Sequence, residues 1–399
     1  MKKIMTSAAL LFAAALAFIS CGDKDPVTPG YGINVPDLVL DFDKSVIQAS
    51  GSDAVTFRAF YKGQDVSASS TLFLVEGTKY TPMSSMTFSA TKEGRYTFQV
   101  AHGTSKSDVV KISAISEEVP QAPADSKPQS TNFVHRTFFN QHTGATCPNC
   151  PFMTYLLKKT LTVEVKDKVV LASIRNYDGD PAFALIPNPS GSAPFLHIDY
   201  NETYLYNAGA PGLQALIDRR TASPAEVGIS ASPVYYDADG KIVLTVAVKA
   251  AVANEYNVGV WLMQDNYYRQ QTVDNGRLNL LEGTWGTSGD SYHNHDNCVR
   301  LAESKYLGSH VGYPLGRIEV GQTKEWRFVF NVNLGEGKDA NGDGKVDHND
   351  GSWWEGKSKV NLADLHFAAF VTTHEGTVYT VVNAIDFPYN EAKPFEYID

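Results

Sequence analysis

Between residues 38 and 115 apolar and polar positions alternate in short runs: LVLDF, AVTFRAFYKG, STLFLVEG, MTFSATKEGRYTFQVAHG and DVVKISAI. A period of two with turn residues between the runs predicts half-buried antiparallel strands, and their number fits a small immunoglobulin-like β-sandwich. The pattern breaks at residues 116–131, SEEVPQAPADSKPQST, where three prolines and few apolar side chains predict a linker.

Beyond the linker the period changes. FVHRTFFNQ reads as a strand, FMTYLLKKTL sets Met153, Leu156, Leu157 and Leu161 at helical spacing, and KVVLASIRN is an apolar strand of the kind buried on both faces. ETYLYNAG fits a short helix, and Leu213 to Ile217 in GAPGLQALIDRR a further strand. Residues 132–222 therefore read as an α/β unit. From 223 to 399 the runs return to β: VGISASPVYYDADGKIVLTVAVKAAV is two strands joined at Asp237 to Gly240, and NVGVWLMQ, KEWRFVFNVN, LHFAAFVTTHEGTVYTVV and AIDF follow with no long helix between them. A second β-sandwich is the simplest expectation. The chain as a whole is expected to be multidomain and mainly β.

The opening, MKKIMTSAALLFAAALAFISCGDKDPV, changes the setting. A basic start, an apolar core too short to span a bilayer and a closing Ser20–Cys21 read as a signal for export over residues 1–20. A cysteine at that point resembles a bacterial lipoprotein signal, which implies acylation of Cys21. The following GDKDP, with Asp23 and Asp25, resembles the acidic tag of surface lipoproteins of Bacteroidota, and the Pro- and Gly-rich stretch that follows makes residues 21–37 a tether. The expected location is the outer membrane, lipid-anchored and facing outward. A net charge of −10 and the lack of a basic run argue against nucleic acid as a partner.

Once Cys21 is set aside, three thiols remain: Cys147, Cys150 and Cys298. An oxidising compartment favours a Cys147–Cys150 disulfide and leaves Cys298 as a buried small residue or a free thiol. A strand that delivers C-x-x-C to a helix start favours a thiolate at the first cysteine, making Cys147 the exposed nucleophile and Cys150 the resolving thiol. Zinc is disfavoured, because no second C-x-x-C or C-x-x-H supplies the remaining ligands. The order strand, C-x-x-C helix, strand, helix, proline, strand is thioredoxin-like, and it makes Pro211 the candidate cis-proline beside the sulfurs.

TGATCPNCP, SIRNYDGDP, GAPGLQALIDRR, YHNHDNCVRLAE and VVNAIDF together resemble the outer-membrane-protein-28-related lipoproteins of Bacteroidota. The resemblance covers roughly residues 132–386 and implies a thioredoxin-like domain followed by a β-sandwich, on the cell surface. This chain departs from the family at Asn140, where an acid often stands as proton relay for the resolving cysteine. Two roles follow. In one, the pair is a fixed disulfide inside a binding or scaffold protein that serves an envelope or nutrient-import complex. In the other, the chain is an extracytoplasmic thiol-disulfide oxidoreductase.

Two further strings carry metal chemistry. DANGDGKVDHND, residues 339–350, matches a twelve-residue calcium loop: Asp339, Asn341 and Asp343 at positions 1, 3 and 5, and Gly344 at the turn. The Lys345 carbonyl stands at 7, Asp347 at 9 and Asp350 at 12. The expected ion is a structural Ca2+. HNHD, His293 to Asp296, has no visible third ligand and is expected to hold hydrogen-bonded structural histidines. Trp353, Trp354 and the tyrosines of NYYRQQ, 266–271, are expected to pack rather than to form a ligand platform.

Overall fold

The computed structural model describes residues 31–177, 182, 185–188, 192–238, 240–269, 271–273, 294–332 and 362–398. The chain is mainly β, with several sheets and three short α-helices among these residues. Cys21, the calcium loop, His293, Trp353 and Trp354 lie outside the described residues.

Residues 38–115 form two facing sheets. One contains Leu38–Phe42, Ala54–Tyr61, Gln64–Asp65 and Thr87–Ser89; the other runs from Val46–Gln48 through Val110–Ile115, Gly94–His102 and Thr71–Glu76 to Lys79–Pro82, with Ser105–Lys106 on its flank. The alternation read from the sequence is what fills the space between them. Leu38, Leu40 and Phe42 point inward from one strand and Val55, Phe57 and Ala59 from its neighbour. Phe57 and Phe88 both lie 4.8 Å, ring centroid to centroid, from Phe98.

Residues 116–131 do not hang free, contrary to the linker expectation. They lie on the odd-numbered face of the strand Lys241–Ala250, where the Thr245 hydroxyl donates to the Pro120 carbonyl (2.7 Å). On the same face Lys241 pairs with Glu117 and Glu93. Lys249, only 1% exposed, donates to Asp125 (2.8 Å) and to the Pro128 carbonyl (2.7 Å). A segment with few apolar side chains can still be ordered when it satisfies a buried ammonium, because removing that charge from water unpaired costs several kcal/mol.

The remainder builds one large curved sheet. Its strand order is Tyr31–Gly32, Val378–Pro388, Leu365–Glu375, Asn254–Gln264, Cys298–Glu303, Val169–Arg175, Thr137–Thr143, Phe195–Ile198 and Glu202–Tyr204, with Tyr313–Ile318 also paired to Asn254–Gln264. The α/β unit and the C-terminal β layer thus share one sheet. They meet at a parallel bridge between Ser173 and Cys298, and the Ser173 N–H donates to the Asn297 carbonyl (2.8 Å). The two halves also face each other, with Phe138 stacked on Phe370 at 4.9 Å and 5.2 Å from Trp261. Tyr31–Gly32, read as tether, instead adds an edge strand to Val378–Pro388.

A separate sheet of Val227–Tyr236, Lys241–Ala250 and Thr323–Asn331 shares one core with the C-terminal half of the large sheet and with the N-terminal sandwich. The three layers are therefore tied by a continuous apolar cluster rather than strung apart. Side chains cross the same boundary: the Trp326 indole N–H donates to the Ser45 hydroxyl (2.8 Å), and Arg95 pairs with Glu303 (3.3 Å).

Helices α1 (Cys150–Thr160), α2 (Val163–Lys166) and α3 (Ala210–Arg220) complete the α/β unit. α1 and α3 cover one face of its strands through Met153, Leu156, Leu157, Leu213, Leu216 and Ile217. Two expectations need correction here. ETYLYNAG contains the strand Glu202–Tyr204 and a short 3-10 turn, and GAPGLQALIDRR is helix α3 rather than a strand. Leu213, Leu216 and Ile217 recur at i, i+3 and i+4, and Pro211 in the first turn supplies a helix-ready φ where no N–H partner is needed. Gly209 precedes the helix at φ +84°, in the left-handed region that glycine enters without strain, and its carbonyl accepts the Tyr204 hydroxyl (2.6 Å).

Candidate functional site

The strand Thr137–Thr143 ends in a loop that carries Cys147, and Cys150 is the first residue of α1. The two cysteines form a disulfide, with their Cα atoms 5.4 Å apart. The expected exposed nucleophile is not exposed: each cysteine is only 1% accessible.

A segment from elsewhere in the chain docks on the loop that carries Cys147. The Gln271 side-chain amide donates to the carbonyls of Cys147 (2.9 Å) and Gly144 (3.2 Å), and the Thr272 N–H donates to the Ala145 carbonyl (2.7 Å). The root of this arm is held by charge. Asp265 accepts the Asn297 N–H at 2.7 Å, and His366 stands between Asp386 (2.8 Å) and Asp265 (3.3 Å). Burial alone would lower the His366 pKa, but the hydrogen bond to Asp386 and the charge of both aspartates outweigh it and hold the imidazolium up at about 10. Burial likewise acts to raise Asp265, yet His366 and the Asn297 N–H keep it below its ordinary value.

The proline facing the sulfurs is Pro194, not Pro211. The Ala193–Pro194 peptide is cis and leads into Phe195–Ile198, which runs antiparallel to Thr137–Thr143. The Ala193 carbonyl oxygen lies 3.8 Å from Cys147 Sγ. Pro211 belongs to the first turn of α3. The sequence signal sought at Pro211, a proline just before an apolar run, is present at PFLHI, residues 194–198.

Asn140 also needs reassignment. Alternation along Thr137–Thr143 puts Phe138, Asn140 and His142 on the face away from α1, where His142 stacks on Phe195 at 4.4 Å. Asn140 is buried and its Oδ1 has no hydrogen-bond partner among the described residues. The residue beneath the cysteine helix is Gln141. Its amide donates to Thr154 Oγ1 (3.3 Å), its carbonyl accepts the Ser173 hydroxyl (3.0 Å), and Thr154 donates to the Cys150 carbonyl (3.4 Å). A cavity of about 180 Å³ adjoins this group, lined also by Arg175 and His295. Against the cysteine helix this position holds a neutral amide and two hydroxyls, while the carboxylate lining the same cavity is Asp296, which accepts the Asn266 N–H (3.1 Å).

His295 bonds the Arg269 carbonyl (3.1 Å), and no cluster of three metal-ligating side chains occurs among the described residues. Tyr267 lies beneath the buried Arg300 guanidinium, 5.1 Å from ring centre to Cζ. Cys298 is buried at the junction with Ser173 and forms no disulfide. His142 and His197 are driven down by burial, to about 3 and about 4, so both are neutral in ordinary buffers.

No family model and no curated protein sequence matches the chain. Among solved structures it is similar to HBP35 of Porphyromonas gingivalis, at 13% identity and a TM-score of 0.46, covering 66% of this chain and 78% of that one. The three N-terminal domains of the bacteriophage RB49 outer capsid protein Hoc give 10% identity and a TM-score of 0.15, over 91% and 99% of the two chains. Both fall below the level at which a shared fold follows. Among the described residues no helix is long and apolar enough to cross a membrane, which leaves strand-built spans unaddressed.

Two measurements check this site. Gln271→Ala should speed reduction of the disulfide by dithiothreitol about tenfold, since about 1.4 kcal/mol of lost hydrogen bonding is a factor of ten; an unchanged rate would show that the arm does not control access. His366 has a folded pKa near 10 against about 6.5 unfolded, so its contribution is full below about pH 6.5 and disappears as pH rises to 10. Urea midpoints should therefore fall over that interval in wild type and less steeply in His366→Gln; parallel curves would exclude the Asp–His–Asp contact as the cause.

Proposed function

We propose that this chain is a lipid-anchored envelope protein with a binding or scaffold role, in which a thioredoxin-like unit holds Cys147–Cys150 as a structural disulfide between an immunoglobulin-like sandwich and a C-terminal β-sandwich. The observation that carries the structural reading is the burial of both cysteines: each is 1% exposed, with Gln271 and Thr272 bonded to the loop that carries Cys147 and the neutral Gln141 amide set against the helix that begins at Cys150. Thiol exchange needs in-line access of a second sulfur to one of the pair, and this arrangement withholds it. Membrane attachment rests on the signal-like first twenty residues and Cys21, and outward display on the acidic tag after it. The protein would serve an envelope or nutrient-import complex from that position.

The oxidoreductase reading has one observation in its favour. Cys147 Sγ faces the carbonyl that precedes a cis-proline, at the mouth of a helix, which is an arrangement able to align an incoming thiolate or peptide once the arm is displaced. An insulin-reduction assay separates the two. The scaffold reading expects wild type and Cys147→Ser to give the same background rate, and expects Cys147 and Cys150 on intact cells to resist alkylation until they are denatured and reduced. Turnover by wild type that Cys147→Ser abolishes would sink the scaffold reading.

We propose further that residues 339–350 hold a structural Ca2+ through Asp339, Asn341, Asp343, the Lys345 carbonyl, Asp347 and Asp350, a ligand order that surrounds a hard cation within one loop. Calorimetry should show one calcium site in wild type and none in Asp343→Ala; heat of binding unaffected by that substitution would remove the loop as the site.

A further inference from the structure

We propose that the outer face of the sheet formed by Val227–Tyr236, Lys241–Ala250 and Thr323–Asn331 is a groove for an extended, acidic, proline-containing segment of a partner protein, and that residues 117–128 occupy it in cis as an autoinhibitory strap. Alternation turns Ile242, Leu244, Val246 and Val248 into the core and leaves Lys241, Val243, Thr245, Ala247 and Lys249 on the strap side. Glu117 pairs with Lys241 and Asp125 with Lys249, so eight steps of strap, 117 to 125, run beside eight steps of strand, 241 to 249. Equal counts require the strap to be close to fully extended, at roughly 3.1–3.4 Å per residue. No strand, helix or turn interrupts it between Glu118 and Asp125.

The strap is held as a bound ligand is, and not as an added strand. From Glu117 to Asp125 the body reaches its main chain through side chains: Gln48 Nε2 donates to the Glu117 carbonyl (2.7 Å), the Tyr236 hydroxyl to the Glu118 carbonyl (2.6 Å) and the Thr245 hydroxyl to the Pro120 carbonyl (2.7 Å). Lys249 closes the far end on the Pro128 carbonyl (2.7 Å). Two strap side chains take apolar seats. Val119 joins the cluster of Val243, Val329 and Tyr236, and Ala122 that of Phe133, Ala247 and Phe395. Side-chain donors on the carbonyls of a preformed extended segment, with aromatic walls, are a known means of recognising proline-containing peptides. The face also sets the ligand's sign. Register places Lys241, Lys249 and Arg327 on it against one acid of the sheet, the exposed Glu325 opposite Ala247. Arg327 is taken by Asp53 (3.4 Å), and Lys241 is shared by Glu117 and Glu93. Lys249, 1% exposed, is then the position at which any occupant must bring a carboxylate, as Asp125 does. A tethered strap competes at an effective concentration of about millimolar, so a partner enters when the strap is weakened or bettered.

The test uses the full chain and a synthetic peptide with the sequence of residues 116–129. Calorimetry should show the peptide binding Glu117→Ala/Asp125→Ala at least tenfold more tightly than wild type, whose own strap competes. Binding should weaken at least tenfold when the peptide itself carries Glu117→Gln and Asp125→Asn. A second measurement leaves the anchors in place: Ala122→Cys in the otherwise wild-type chain, labelled with a maleimide across sub-denaturing urea. Labelling through strap release proceeds at a rate indifferent to urea. Labelling that climbs with urea as steeply as global unfolding would make the strap a fixed part of the fold and overturn the proposal. No binding by the double variant, or binding that ignores the peptide's acids, would overturn it as well. The proposal rests on the binding role for its purpose, yet the peptide titration and the insulin assay report on separate places and fail independently.

Discussion

Everything in this molecule turns on one junction, the parallel contact of Ser173 with Cys298 that makes two structural units a single sheet. The bridge is a single residue pair, yet both sides use it. On one side Ser173 donates its hydroxyl to Gln141 beneath the cysteine helix. On the other, Asn297 next to Cys298 bonds Asp265 at the root of the arm that docks on the Cys147 loop. Because sheets transmit position through their ladders, the arm and the loop it docks on are registered against each other by backbone geometry. The small buried side chain of Cys298 suits this place, where a larger one would force the strands apart.

The charged groups follow the same economy. Asp265, His366 and Asp386 stand at the arm's root, and Lys249 and Lys241 hold down residues 116–131. His366 and Lys249 are buried groups answered by partners distant in sequence, and such contacts are strong only if the geometry is complete. The chain therefore uses polar clamps where its apolar core thins out, and leaves the layers themselves to the apolar cluster running from Leu38 to Phe387.

Local pattern revealed much of this and missed what depends on distance. The alternating runs of residues 38–115 became strands with the inward positions the period demands, and the helical spacing at Met153, Leu156 and Leu157 became α1. The strand expected over Leu213 to Ile217 is instead part of a helix, because a short apolar stretch satisfies both periods and the N1 preference of proline decides between them. Pro194 and Phe195–Ile198 went unseen since only four residues carry that strand. The resemblance sets Asn140 at the relay position, whereas alternation along the strand turns Asn140 to the opposite face from Gln141. Gln271 had no local signal: its role exists only after an excursion from the end of one strand returns to a loop more than a hundred residues earlier.

The edge pairing of Tyr31–Gly32 with Val378–Pro388 fixes how far the body could stand from a bilayer. If lipid is carried at Cys21, the leash from that residue to Tyr31 is ten peptide units, at most about 35 Å at roughly 3.5 Å each. That reach is shorter than a free stretch to Asp37 would allow, and it starts from the rim of the sheet near Val378. The molecule would then ride low over the headgroups with that rim turned downward, and its accessible hemisphere would be set by where the first strand docks rather than by the length of a loose stalk.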